Sequence, residues 1–395
     1  MKNNALKGIG INIVILGVVS FLNDVSSEMI LPILPMFITA LGGGGIIIGL
    51  TSGAMESVSS ILKVLCGYWS DRSGRRKVFV LSGYLTSAFF KLLLSVSTVW
   101  QQVFIFSGLE RVGKGLRTSP RDAIIADSMP KERGKGFGIH RAFDSAGAIL
   151  GSIVAFFLIW YSGLQFKMII LIAALLAFFS VIPLWFVREP QEEKRNISLR
   201  LSLKSLPAPL KLYLNIAGLF TFANFSYMFF LLKARGSFSD EWSTSGPILL
   251  YVLFNVFYTL FAIPFGMLSD KIGRRRSLII GYLLFALTSI GFATFSSIGA
   301  FIFLFPLYGI ANAAVDGNQR AFASDLAPKE LRATVLGTFH TTIGLLAIVT
   351  GFLAGIIWEK ISPEGTFLYA SLLALLSSLI FVATGRYFKG CEASR

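Results

Sequence analysis

The sequence predicts an all-α membrane protein in which twelve transmembrane helices form two six-helix bundles. Three observations lead there. The 395 residues are 54% hydrophobic and only 14% charged, with a mean hydropathy of +0.71, whereas soluble domains carry about a quarter charged residues. Apolar stretches near the ~20 residues that a bilayer requires recur along the whole chain. Finally, the basic residues collect in every second connection between those stretches, the asymmetry expected when cytoplasmic loops retain Lys and Arg.

The spans read, in order, as residues 9–40, 45–66, 78–98, 100–126, 136–160, 166–187, 212–233, 246–266, 277–297, 299–325, 333–358 and 366–386. The first is too long for a cleavable signal peptide, and no small-residue cleavage site ends it before charge resumes. Pro32 and Pro35 should kink or loosen it, because each removes a helix donor and crowds the preceding turn. Gly42 to Gly45 form a short external turn before the second span. Odd-numbered connections hold only Lys167, Lys233, Arg235 and Lys360 at their edges. Even-numbered ones hold Arg72, Arg75, Arg76, Lys77, Lys131, Arg133, Lys194, Arg195, Arg274, Arg275 and Arg276. Both termini are therefore expected in the cytoplasm, and the net charge of +15 is topology, not a polyanion site, so no nucleic-acid partner is expected. The mixed-charge stretch 188–211 reads as a cytoplasmic linker between an N-terminal bundle, 1–187, and a C-terminal bundle, 212–395. Two cysteines, Cys66 and Cys391, make neither a disulfide framework nor a metal cluster.

The halves repeat one another. "GYWSDRSGRRK" at 67–77 returns as "GMLSDKIGRRR" at 266–276, so that Gly67, Asp71, Gly74 and Arg75 match Gly266, Asp270, Gly273 and Arg274 at an offset of 199. "GYL" at 83–85 returns at 281–283 and "ADSMPKER" at 126–133 as "SDLAPKELR" at 324–332, pairing Asp127 with Asp325 and Pro130 with Pro328, now at 198. Parallel halves of this kind, related by an axis along the membrane normal, are a transporter architecture.

"GYWSDRSGRRK" resembles the loop signature between the second and third helices of the major facilitator superfamily, and the echo in the second half is typical of it. "ERVGKG" at 110–115 resembles that family's fourth-helix motif, with Arg111 and Gly115 on its arginine and glycine, and "ADSMPKERG" its acidic fourth-helix cap. "DSAGAILGS" at 144–152 is similar to the fifth-helix antiporter motif, with Ser152 where proline is usual. The resemblance implies that Asp71, Arg72, Arg75 and Asp127, with Gly67 and Gly74 shaping the turn, form a conformational latch. Asp270, Arg274 and Asp325, with Gly266 and Gly273, would be its counterpart. It also implies a monomeric secondary transporter of the inner cell membrane, without cofactor, and the "FLNDVSSEMI" and "GKGLRTSPRDAIIADSMP" stretches look like a prokaryotic group often placed with drug-efflux pumps.

Ionisable residues inside spans are expensive, ~2.5–3.5 kcal/mol at the bilayer centre, and must face a cavity or a partner. The first half places Asp24, Glu28, Glu56, Lys91, Glu110, Arg111, Arg141 and Asp144 there; the second offers only Asp316 and Arg320, with His340. Asp24 and Glu28, one helical turn apart, are candidate proton acceptors or cation contacts on a hydrated face, and a permanent ion pair is the structural alternative. Glu110 and Arg111, adjacent and ~100° apart, should not pair with each other; Arg111 suits an acid of the first helix, Glu110 one of Lys91 or Arg141. His140 and His340 are lone histidines, which makes a metal site a poor reading. "GLERVGKG" falls one residue short of a phosphate-binding loop, lacks its Ser or Thr and follows no strand. No nucleophile–base constellation is visible, so an enzyme is not expected. The expected activity is proton-coupled export of a small organic solute by alternating access. Import of a metal chelate, siderophore or nutrient, and a non-transporting membrane sensor, are the alternatives.

Overall fold

The computed structural model describes residues 10–129, 132–189, 207–327 and 332–388. Pro130, Lys131, Lys194, Arg195, Pro328, Cys391 and most of the expected linker fall outside the described residues. Among the described residues every regular element is helical. The chain runs α1 (Ile11–Ile30), α2 (Leu34–Ala40), α3 (Gly45–Ser73), α4 (Arg76–Ser95), α5 (Trp100–Ser128), α6 (Arg133–Trp160) and α7 (Phe166–Val181). After residues 190–206 follow α8 (Ala208–Ala223), α9 (Tyr227–Arg235), α10 (Ser245–Ile272), α11 (Arg274–Thr294), α12 (Ile298–Asp325), α13 (Arg332–Lys360) and α14 (Pro363–Ala383).

Fourteen helices make twelve passes because two passes are interrupted. The first breaks at Leu31–Ile33, between α1 and α2, where Pro32 cannot donate and Pro35 crowds the turn before it. The seventh breaks at Asn224–Ser226 with no proline at all. There Asn224 leaves the helical region (φ −85°, ψ 67°) and the Ser226 side chain accepts from Met228 N, starting a new helix. Among the described residues eleven passes are long and apolar enough to cross a membrane. The pass that misses this mark is α5, whose 29 residues would reach across but include Glu110, Arg111, Lys114, Arg117, Arg121 and Asp122. Its charge is a property of the site it carries.

By their contacts the residues group into two compact units, 1–37 with 58–198 and 38–57 with 199–395. In the first, α1 lies against α6 and α7, and α4 against α5 and α7. Ile13, Leu16, Val19, Val80, Tyr84, Ile124, Ile125 and Leu184 close its core at the end nearest the α3–α4 turn. In the second, α10 and α11 pack on α12, and α11 and α8 on α14. Its core is aromatic: Phe220 stacks on Tyr282 at 3.9 Å and Phe230 on Tyr308 at 4.0 Å. Stacked rings of this kind add roughly 0.5–1.5 kcal/mol each beyond area burial. The first turns of α3 belong with this unit because glycines there meet glycines of α13. A Cβ on Gly49 would lie 1.9 Å from the Gly351 carbonyl oxygen, and one on Gly351 2.0 Å from that of Gly49. Large apolar side chains such as Leu260, Ile263, Met267 and Phe303 stay exposed, as lipid-facing residues must.

Candidate functional site

The duplicated loop motif is mostly helix. α3 runs through Asp71 to Ser73 and α10 through Asp270 to Ile272 before a glycine stops each: Gly74 at φ 66° and Gly273 at φ 92°, left-handed conformations that cost glycine little. The next helix then starts at Arg76 in one copy and at Arg274 in the other. Arg274 is held between Asp325, 2.9 Å from Nε, and Asp270, 2.9 Å from a terminal nitrogen, and also donates to Ser269 Oγ at 2.9 Å. In the first copy it is Arg76, not Arg75, that bridges Asp71 at 3.2 Å and Asp127. This corrects the expected network. Arg75 is the one extra residue of the first turn, and it lies exposed, as does Arg72, which only approaches the Tyr68 hydroxyl at 3.4 Å. Gly67 abuts Ser119 of α5, while a Cβ on Gly266 would meet open space.

The residue after each bridging arginine also repeats its task. Lys77 Nζ donates to the carbonyls of Trp185 and Val187 at 3.0 and 2.8 Å, where α7 tightens into a 3-10 turn, Ile182–Phe186. Arg275 donates to Phe381 O at 3.3 Å near the corresponding turn after α14, Thr384–Phe388, and its guanidinium occupies the space beside Gly385. Cations on the orphan carbonyls of a helix end are favourable. Each turn thus ties the first helix-end acid, the fourth helix and the sixth helix of its own half together.

The expected intramembrane charges fall into two groups within the first unit. In one, Lys91 is fully buried on α4 and donates to Ser26 and Ser27 of α1 at 2.9 Å each. Glu110 is buried within electrostatic reach of it. Arg111 lies with its Nε 3.2 Å from the Glu110 carboxylate. That overturns the expectation that these neighbours stay apart: Cβ directions ~100° apart still let two long side chains curl together. Arg117, not anticipated, donates to Ser87 Oγ at 2.6 Å and lies 4.5 Å over the Tyr84 ring.

The other group sits where α1 meets α6. Gly147 and Gly151 let the two backbones touch: a Cβ on Gly147 would be 2.7 Å from Phe21 O and 3.2 Å from Asp24 Cβ, and one on Gly151 2.9 Å from Glu28 Cβ. Asp24 and Glu28 are half-buried against this face. Asp144, one turn before Gly147, has His140 Nδ1 3.5 Å from its Oδ2. Arg121 donates to Asp122 Oδ1 at 3.1 and 2.9 Å and to Ser20 Oγ at 3.1 Å. Arg141 lies exposed on α6, and Glu56 exposed in the part of α3 grouped with the second unit. The described residues contain no group of three or more His, Cys, Asp and Glu side chains able to hold a metal ion.

The family model for the Major Facilitator Superfamily matches residues 16–246 and 214–388. The chain belongs to the Major Facilitator Superfamily. An MFS-type transporter of Methanocaldococcus jannaschii is 53% identical over 375 residues, 94% of each chain. Multidrug resistance protein MdtH of Yersinia enterocolitica is 28% identical over 126 residues, 32% of this chain and 31% of its own. Among solved structures, a mutant of the nucleoside transporter NupG superposes with a TM-score of 0.80 at 16% identity over 94% of this chain and 99% of its own. A mutant of a peptide transporter POT gives 0.81 at 13% identity, covering 96% and 95%. At those identities the likeness is one of fold. Within this MFS fold each half carries an Asp–Arg–Asp bridge, and the first unit holds most of the ionisable side chains of the described spans, the second having Asp316, which accepts from the Tyr258 hydroxyl at 3.1 Å, and the Lys233–Glu364 pair.

Arg117 and Arg121, one helical turn apart, and Asp122 all lie within α5, but the motif that contains them assigns them no separate role. The serines that hold Lys91 carry no charge and gave no signal of their own.

Proposed function

We propose that this membrane transporter is a proton-coupled secondary carrier that exports a small organic solute across the cell membrane by alternating access, with both termini in the cytoplasm. The observation that carries the reading is the concentration of buried and half-buried ionisable residues in the first unit. Asp24, Glu28, Glu110 and Asp144 lie in spans where an idle carboxylate would cost ~2.5–3.5 kcal/mol, alongside bases that could exchange as partners. No nucleotide-binding loop accompanies them, so an ion gradient is the natural energy source. The paired Asp–Arg–Asp bridges support a latch role. They hold helix ends together with ion pairs of modest strength, as a bistable contact requires.

The cargo is sought first by thermal shift of the purified protein against amphipathic drugs, amino acids, nucleosides and iron chelates, since a ligand of the native state raises the melting temperature. Its flux is then followed in proteoliposomes with an imposed pH gradient. The expected result is uphill movement out of the proton-poor compartment, abolished in Asp24→Asn while the variant retains its helical signal and cargo binding. Flux indifferent to the pH gradient would remove proton coupling. Net uptake by intact cells, with growth on the cargo, would replace export by import.

A further inference from the structure

Two deeply buried cations of the first unit are held without being neutralised. Lys91 and Arg117 are 1% and 4% exposed. Lys91 donates to the Ser26 and Ser27 hydroxyls at 2.9 Å each, and Ser26 gives its own proton to Ala173 O at 2.6 Å. One of the three ammonium N–H groups is left over. Arg117 donates to Ser87 Oγ at 2.6 Å and lies 4.5 Å over the Tyr84 ring. Among the described residues neither side chain forms an ion pair. A guanidinium keeps its charge in any protein interior, so a full positive charge is answered here only by a hydroxyl and a ring face.

The two cations belong to one seam between α4 and α5. Tyr84, Ser87 and Lys91 follow one another on α4 at spacings of three and four residues, which places them on one face. Ser87 joins the helices, since its Oγ accepts from Arg117 and donates to Glu110 O at 3.1 Å. Lys91 stands one turn beyond Ser87, roughly 6 Å along α4, and turns its ammonium to α1. Glu110, 6% exposed, has Oε2 3.2 Å from Arg111 Nε, while its Oε1 lacks any hydrogen-bond partner. Arg111 thus answers Glu110, and the charges of Lys91 and Arg117 remain. Half-buried Asp24 and Lys114 carry one charge of each sign, and Arg121 pairs with Asp122, so the excess stays positive.

We propose that the cargo is an organic acid whose carboxylate is bound by Arg117 and Lys91, with Glu110 Oε1 accepting from a hydroxyl or amine beside that carboxylate. This rests on the export of a small organic solute put forward above and names its class. One carboxylate oxygen takes the leftover N–H of Lys91 and the other the guanidinium of Arg117, charge-assisted bonds stronger than those to a serine. The serines and the Tyr84 ring hold both cations in place beforehand, so little ordering is needed on binding. An amine without an acid would meet two like charges and be rejected.

The test uses four probes built on one ring and differing in charge: phenylacetate, mandelate, phenylacetamide and phenethylammonium. Each is added to the purified full-length protein at equal ionic strength. At about 10 mM, phenylacetate should raise the melting temperature by about 2 °C or more, and mandelate, whose hydroxyl suits Glu110, by a larger step. The amide and the ammonium should leave it unchanged. Lys91→Gln and Arg117→Gln should each lose the acid shift, Arg117→Lys should keep part of it, and Glu110→Ala should remove the margin of mandelate over phenylacetate. Lys360→Gln, at an exposed cation of α13, should keep all of it. If Lys91→Gln fails to fold, the two Arg117 variants decide. No shift from either acid, an equal shift from the amide or the ammonium, or acid shifts that survive Arg117→Gln overturn the proposal. Proton-driven export of a neutral or cationic solute without any acid shift would sink this site and leave the coupled reading standing. Charge-selective shifts with flux indifferent to the pH gradient would do the reverse.

Discussion

At the scale of single residues the clearest test separates two neighbours. Arg76 has its guanidinium between Asp71 and Asp127, whereas Arg75 lies exposed at the turn. Arg76→Ala would leave two carboxylates facing each other at a tight helix end, with no cation between them. Both acids are about a quarter to a third exposed, so water softens the repulsion. The expected loss is about 1–3 kcal/mol, seen as a lowered melting temperature in detergent. Arg75→Ala should stay within about 0.5 kcal/mol of the parent. Equal effects would contradict the geometry. The distinction was legible in the sequence. Gly74 and Gly273 differ by 199 but Asp127 and Asp325 by 198, so one residue is gained between them in the first copy. Reading the arginine with the later offset pairs Arg76 with Arg274, and Lys77 with Arg275. The earlier offset pairs Arg274 with Arg75, the arginine that lies exposed.

At the scale of elements, glycine placement decides which helices can touch. On α4 and α5, a Cβ on Gly83 would fall 2.6 Å from Gly113 O and 2.7 Å from Arg117 Cβ, while one on Gly108 of the same α5 meets nothing within 4 Å. Gly83→Ala must therefore push α5 back, at about 1–3 kcal/mol for overpacking. Displacing α5 would also strain the Arg117–Ser87 bond. Gly108→Ala only removes backbone freedom and should stabilise by up to about 1 kcal/mol. Urea or thermal unfolding of the two variants in one detergent checks the sign difference. The sequence exposed the spaced glycines Gly147 and Gly151, because a regular interval on one helix is visible without its partner. It hid the Gly83–Gly113 approach, because each glycine is isolated and the pairing exists only once α4 and α5 are packed. The break at Asn224–Ser226 was hidden for a similar reason. Prolines announce an interrupted helix, as they did at Leu31–Ile33, but an Asn followed by a serine cap reads equally well as a continuous apolar run.

For the whole molecule the sequence specified the architecture far better than the cargo. Twelve passes and a duplication follow from hydropathy and offset, which are properties of the entire chain, whereas a cargo site is a few side chains whose grouping depends on packing. The same whole-chain property makes the last prediction. All six connections after odd-numbered passes lack Lys and Arg: residues 41–44, 96–99, 161–165, 236–244, 295–297 and 361–362. The opposite ends carry Arg72, Arg75, Lys77, Arg188, Lys271 and Arg274 to Arg276 among others. At about 2.5–3.5 kcal/mol for moving each such base through the bilayer centre, inversion of the whole set is prohibitive. With Cys66 and Cys391 replaced by serine, Tyr161→Cys, at the most exposed aromatic of a base-free connection, should react with a membrane-impermeant maleimide in intact cells. Arg72→Cys should react only after permeabilisation, because it sits among the retained bases. Labelling of Arg72→Cys in intact cells would place the Asp–Arg–Asp bridges outside. The first and second halves of the latch would then face away from the compartment that the charge distribution assigns them, and the direction of transport would have to be reconsidered with it.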